Sequence, residues 1–426
     1  MQGGKALNIK ESNLKTNLIC LVSMVLIVMG LWIRPLLIAA FVIQSLAVVT
    51  CKTKEAFYVL LFTLPFGLIY KYPGLTISFF TFVEFLMAVV ILLRYRKVKL
   101  SLLLVLALST IYFAFRMDGN YKAIVKMIAF YVVFWGFIQS YDKKSCHKYV
   151  DFFISGLIFS SILGVFKESI PSLLYYYNDM NYTDIEGVQT LRFSGLFDDP
   201  NYFSIALISA MVLLIFLKRY MDYSAGKFYF FFILLTALGL LTYSKSFILV
   251  YACVLMLEVF LNVHAQNKLQ IAFEIIFIMT LIAAVMLGGV GIVNKIISRF
   301  HQGQGITTGR VDIWKNYWLV ISSDASNKWF GLGLNAPYVA EMASHSIYIE
   351  TIYYGGFIGL FLYITSWIVM VLSSHKNKLR LRNMVLLGII LVMYAFLCGF
   401  LNYALPFYMM FAWMIADIDV KGVSRK

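Results

Sequence analysis

Residues 202–217 read YFSIALISAMVLLIFL and stop at Lys218-Arg219. An amphipathic helix of a soluble protein shows one apolar stripe, but this run is apolar on every side, as a helix surrounded by lipid or by other spans must be. Working outward, similar runs recur near 17–33, 36–50, 57–70, 77–93, 100–115, 123–141, 149–166, 228–243, 246–263, 269–293, 347–373, 384–400 and 403–418, fourteen with the first. The chain of 426 residues is 61% hydrophobic and 13% charged. A globular protein holds about 45–50% apolar and about 25% charged residues. The expectation is an all-α polytopic membrane protein with about 14 transmembrane helices, a single transmembrane domain over 1–426. Disorder, collagen-like repeats and small disulfide scaffolds are excluded by the same composition.

A formal charge of +15 would suggest nucleic acid in a soluble protein. Among spans it reads instead as the positive-inside bias, and no nucleic-acid partner is expected. With the N-terminus in the cytoplasm, alternate breaks hold clusters such as Arg94, Arg96, Lys97 and Lys99, or Lys376, Lys378, Arg380 and Arg382. Together with both termini they carry 23 of the 36 basic residues. This predicts a multi-pass membrane protein with both ends cytoplasmic. Lys5, Lys10 and Lys15 before the first run resemble a signal peptide, but no small-residue cleavage site follows closely, so the run reads as a retained span. Cys20, Cys51, Cys146, Cys253 and Cys398 lie in apolar runs or beside basic breaks, which argues against a disulfide framework.

Two outer segments are too long to be plain connections: 167–201 and 295–346. Loops of this length in a compact chain are functional or disordered. In the second, Val311, Trp314 and Trp318 recur at helical spacing, with Asp312, Lys315 and Asn316 on other faces. This predicts an amphipathic helix over 309–321, lying at the interface with its tryptophans among the headgroups. Glu84, Lys126, Glu258 and Glu274 sit inside apolar runs, where helix-to-helix pairing is favoured over a transport pathway.

The first outer segment ends in Arg192-Phe-Ser-Gly-Leu-Phe-Asp-Asp-Pro-Asn201. The second carries Gly309-Arg310-Val-Asp-Ile-Trp314, then Trp329-Phe-Gly-Leu-Gly333, then Ser344-His345-Ser346 before a span. Asp199-Pro200 suits a helix cap and first turn, and Gly331 and Gly333 suit turns. Arg192 and Arg310 each precede a helical segment on one membrane face, and a guanidinium grips phosphate through a planar fork. A neutral imidazole at His345 could take a proton from a sugar hydroxyl. Together these suit group transfer from a lipid pyrophosphate. Asn201, Trp314 and Lys315 read as substrate-binding neighbours. No cluster has zinc spacing and no Walker or dinucleotide fingerprint occurs, so neither a metal nor another cofactor is expected. Asp417-Ile418-Asp419 has D-x-D spacing but belongs to the cytoplasmic end of the last run.

In this order, over roughly 190–373, these stretches resemble the O-antigen polymerase and O-antigen ligase superfamily. The shared pattern is R-x-x-G-x-x-x-(D/N)-P-N entering a helix, an outer loop with a second Arg, then G-x-G and a His opening the next span. The resemblance implies a metal-independent glycosyltransferase acting on undecaprenyl-pyrophosphate-linked oligosaccharide at the periplasmic face. It implies essential arginines at Arg192 and Arg310, a base at His345, and partners among membrane lipids, a chain-length regulator and a flippase. The histidine is followed by Ser346 rather than the Asn of the ligase pattern, which tilts the reading towards polymerase. The ligase, passing glycan to lipid A-core, remains the alternative. A lipid-linked oligosaccharide flippase is the alternative of another class, and the long outer loops argue against it.

Overall fold

The computed structural model describes residues 2–263 and 310–374, apart from 68, 72–74, 76, 96–99, 142–145, 171–181, 186–187, 198 and 221–222. The expected runs at 269–293, 384–400 and 403–418 lie outside the described residues, as do Glu274, Cys398, the Asp417/Asp419 pair and the start of the second outer loop. Each of the other eleven expected runs holds a helix. These are α1 (Gln2–Gly30), α2 (Pro35–Thr50), α3 (Thr53–Thr63), α4 (Phe79–Arg94), α5 (Leu100–Phe115), α6 (Tyr121–Ser140) and α7 (Cys146–Val165). A short hairpin of β1 (Tyr182–Ile185) and β2 (Val188–Leu191) follows. Then come α8 (Pro200–Tyr220), α9 (Ala225–Leu241), α10 (Lys245–Val263), α11 (Arg310–Ser322), α12 (Ala325–Phe330) and α13 (Ile347–Ser374).

The protein is a helical membrane protein. Among the described residues, α6, α7 and Ile347–Val369 of α13 are long and apolar enough to cross a bilayer by themselves. The run expected at 57–70 is not a full-length helix. Pro65 ends α3 in a 3-10 turn, Leu64–Phe66, because proline supplies no N–H and crowds the preceding turn. Eleven residues rise about 16 Å, roughly half a hydrocarbon core. The first long connecting segment, 167–201, carries the hairpin. Its antiparallel register sets Tyr182 opposite Leu191 and Ile185 opposite Val188, and the aromatic Tyr and β-branched Ile and Val favour extended backbone. The described cysteines Cys20, Cys51, Cys146 and Cys253 are all free thiols.

The helices fall into two compact units. The first holds α1–α4, most of α6, and α7. Its centre is α3, buried from Ala56 to Thr63 and set in aromatic contacts such as Phe57–Phe137 and Phe62–Phe159. Gly156 of α7 passes so close that a Cβ there would lie 2.1 Å from the Phe62 carbonyl oxygen. Arg94, ending α4, donates to the carbonyls of Val49 (2.6 Å) and Cys51 (2.8 Å), capping the C-terminal end of α2. Glu84 of α4 interacts electrostatically with Lys126 of α6.

The second unit holds residues 107–124, the hairpin and α8–α13. Helix α8 is buried all round from Phe203 to Ile215, with α9 and α10 against it; α11 and α12 pack on α13. Helix α13 is broken at Gly356 (φ +65°, ψ −171°). A break inside a span frees carbonyls that lipid cannot satisfy, so protein must do so. Leu332 N–H donates to Tyr353 O (2.8 Å) and Gly333 N–H to Tyr354 O (3.0 Å), while the Tyr112 hydroxyl donates to Gly355 O (2.6 Å). Arg116 holds the same strip from behind through the Gly331 carbonyl, and Asn120 through that of Leu334. The expected turn glycines Gly331 and Gly333 both take positive φ.

The approach requires glycine at the break, because a Cβ on Gly356 would stand 2.2 Å from the Trp329 carbonyl carbon. Gly356→Ala adds a steric overlap with backbone to an unfavourable left-handed φ. It is expected to destabilise by about 2–4 kcal/mol, read as a lowered thermal midpoint in detergent. A midpoint equal to wild type would mean that α13 can close the break.

Candidate active site

The site grows from the turn between α9 and α10 and the first residues of α10, Thr242-Tyr-Ser-Lys-Ser246. Thr242 caps α9 by donating to Gly239 O (2.6 Å). Ser244 opens α10 by accepting from Phe247 N–H (3.3 Å). The chain leaving β2 is pinned here too, Phe193 N–H donating to Leu241 O (3.1 Å). That bond delivers Arg192, whose Nε donates to the Thr242 carbonyl (3.0 Å). A guanidinium nitrogen of Arg192 also reaches Asn201 Oδ1 (3.4 Å).

Asn201 is placed by the first turn of α8. Asp199 caps that helix, its carboxylate accepting from Asn201 N–H (2.6 Å), and Pro200 fills the first helical position. Asn201 Oδ1 then accepts from the Ser244 hydroxyl (2.8 Å) as well. The amide therefore joins Arg192 to the turn.

Arg310 arrives from the other side. It begins α11, and its guanidinium donates to Ser246 Oγ (3.4 Å). The two arginines thus flank one five-residue segment with hydroxyl side chains at Thr242, Tyr243, Ser244 and Ser246. His345 interacts electrostatically with Arg310 and with Asp199. It is half-buried, and its backbone is left-handed (φ +51°). Burial is the main influence holding its imidazole below the ordinary value of 6.5; the Arg310 charge acts in the same sense and Asp199 opposes both. The ring is therefore neutral near pH 7 and able to accept a proton.

Helix α11 presents Arg310, Trp314, Tyr317 and Ile321 on one face, at i, i+4, i+7 and i+11. Tyr317 and Ile321 are fully buried. Trp314 Nε1 donates to Ser344 O (2.8 Å), so this side chain holds the loop before His345. Lys315 is not brought to the group: it is 70% exposed and paired with Asp312 at 3.4 Å. The outward side of α11 and α12 shows Trp318, Leu319, Trp329 and Phe330. Trp318 and Trp329 meet Phe357 of α13 edge-on, and Phe357 heads a stripe of exposed Phe361, Ile364 and Ile368 down that span.

Of the residues singled out from sequence, the structure joins Arg192, Asn201 and Arg310, sets His345 within electrostatic reach of Arg310, gives Trp314 a loop-holding bond and leaves Lys315 aside. Thr242, Ser244 and Ser246 went unread. Their signal was present as a polar TYSKS run between two apolar ones. No group of His, Cys, Asp and Glu among the described residues has the arrangement of a metal site. Comparison of the chain with protein-family models and with curated proteins found no match.

Proposed function

We propose that the protein is a metal-independent glycosyltransferase that elongates a surface polysaccharide. A growing glycan passes from undecaprenyl pyrophosphate to the terminal sugar of a lipid-linked repeat unit. The observation that supports this reading is the convergence of Arg192, Asn201 and Arg310 on residues Thr242–Ser246, with His345 within electrostatic reach of Arg310. Two guanidiniums beside the hydroxyls of Thr242, Ser244 and Ser246 suit a pyrophosphate, whose charge grows as the glycosidic C–O bond breaks. His345 takes the proton of the acceptor hydroxyl as its oxygen bonds to the anomeric carbon. The bond formed is sugar–oxygen, the bond broken is sugar–pyrophosphate, and the activated donor supplies the driving force. The site lies on the periplasmic side of an inner membrane in this reading, with both termini cytoplasmic, as the basic clusters argue. The outward aromatic side of α11 and α12 then rests among lipid headgroups.

In a host that makes lipid A, a strain lacking the protein is expected to cap its lipopolysaccharide with a single repeat unit. Ligation survives and elongation does not. Bare lipid A-core, with long glycan accumulating on undecaprenyl pyrophosphate, would assign the protein to ligation instead. An unchanged ladder would reject both.

A further inference from the structure

We infer that Tyr317 is a positioning residue, holding the loop 339–345 in a left-handed backbone and so setting His345 against the arginines. Three non-glycine residues of this loop take positive φ: Ala340 (52°), Glu341 (59°) and His345 (51°). Such a cluster relaxes unless its surroundings hold it, and strain of this kind gathers at functional sites. The surroundings are identifiable. The Tyr317 hydroxyl donates to Met342 O (2.7 Å) and accepts from Val339 N–H (3.4 Å), bracketing the two strained residues between them. Trp314, one turn earlier on α11, secures Ser344 O (2.8 Å). Beyond it the Ser344 hydroxyl donates to Ser346 O (2.9 Å) and accepts from Ser346 N–H (3.2 Å), closing the turn on either side of His345. From α13, Tyr353 donates to Pro337 O (2.7 Å), and its ring packs edge-on against Tyr317 at 4.9 Å.

Tyr317 shares its helix face with Arg310. The same short helix thus carries a phosphate-gripping group at its first residue and, two turns on, the hydroxyl that shapes the loop ending in the base. Arg310 and His345 are spaced by one rigid piece. A loss at Tyr317 should therefore move the base and leave the grip on the donor in place. The consequence for turnover rests on the transferase reading; the consequence for the loop does not.

Tyr317→Phe keeps the ring and removes only the hydroxyl. In purified enzyme in proteoliposomes it is expected to lower turnover about 10- to 30-fold, with donor KM within about twofold of wild type. Modification of His345 by diethyl pyrocarbonate, followed by peptide mass spectrometry, should quicken at least about fivefold as the loop loosens. Glycine accepts positive φ without strain, so adding Glu341→Gly or Ala340→Gly to Tyr317→Phe should bring both readouts back to within about threefold of wild type. A residue that merely fills space would show no such rescue. Wild-type modification kinetics in Tyr317→Phe, a loss carried by donor KM, or a loss that neither glycine relieves would overturn the inference. If His345→Ala itself turned over normally, the base in the transferase reading would fall, and the modification kinetics with their glycine rescue would still decide the role of Tyr317.

Discussion

His345→Ala is expected to lower glycan transfer by about 10²–10⁴-fold at saturating acceptor, the range for loss of a positioned base. The pH dependence separates base from binder. Burial and Arg310 hold the imidazole below 6.5, so the catalytic neutral form persists as the medium is made mildly acidic. Turnover should then fall only as pH drops through that lowered value. Asp199 is the opposing influence, and Asp199→Asn keeps the oxygen that caps α8 while removing its charge. This variant should shift the acid limb to still lower pH with folding preserved. The measurement is turnover against pH in proteoliposomes for wild type, His345→Ala and Asp199→Asn. Turnover of His345→Ala within threefold of wild type, or an acid limb that stays in place without the imidazole, would remove His345 from the chemistry.

Helix placement was legible because apolar runs in a membrane protein are long and their ends polar. The departures have physical reasons. Pro65 shortens α3 inside a run that stays apolar. The break at Gly356 is silent in sequence because Tyr353, Tyr354 and Gly355 find partners far along the chain, in Leu332, Gly333 and Tyr112. The amphipathic reading of α11 chose Val311, Trp314 and Trp318 as one apolar face. The protein instead holds Arg310, Trp314, Tyr317 and Ile321 inward, leaving Trp318 and Leu319 outward. In a soluble protein apolar side chains mark the inside; beside a bilayer they also mark the outside, so hydrophobicity alone cannot orient such a helix. The candidate site was legible as arginines and a histidine before helices, but not the turn that joins them. Serine and threonine between two apolar helices look like any loop until Arg192, Asn201 and Arg310 are seen to meet there.

The two arginines should respond differently to substitution, although both alanine variants should be severe. Losing a charge-assisted contact to phosphate in a sheltered site costs about 2–4 kcal/mol, or about 30- to 1,000-fold in rate. Arg192 is tied through Nε to the Thr242 carbonyl and through a second nitrogen to Asn201. A lysine is a point donor and cannot reproduce that fork. Arg192→Lys should therefore recover little, and the turn itself should loosen, lowering the thermal midpoint by a few degrees. Arg310 reaches Ser246 Oγ over a long 3.4 Å, a contact an ammonium can make. Arg310→Lys should recover roughly tenfold over Arg310→Ala with an unchanged midpoint. Rates from purified protein, normalised to the amount in the membrane, test both. Near-wild-type rates in the two alanine variants would end the phosphate role. Equal recovery by lysine at both positions would mean that charge alone matters at Arg192, and that its bonds to Thr242 and Asn201 contribute nothing to the site.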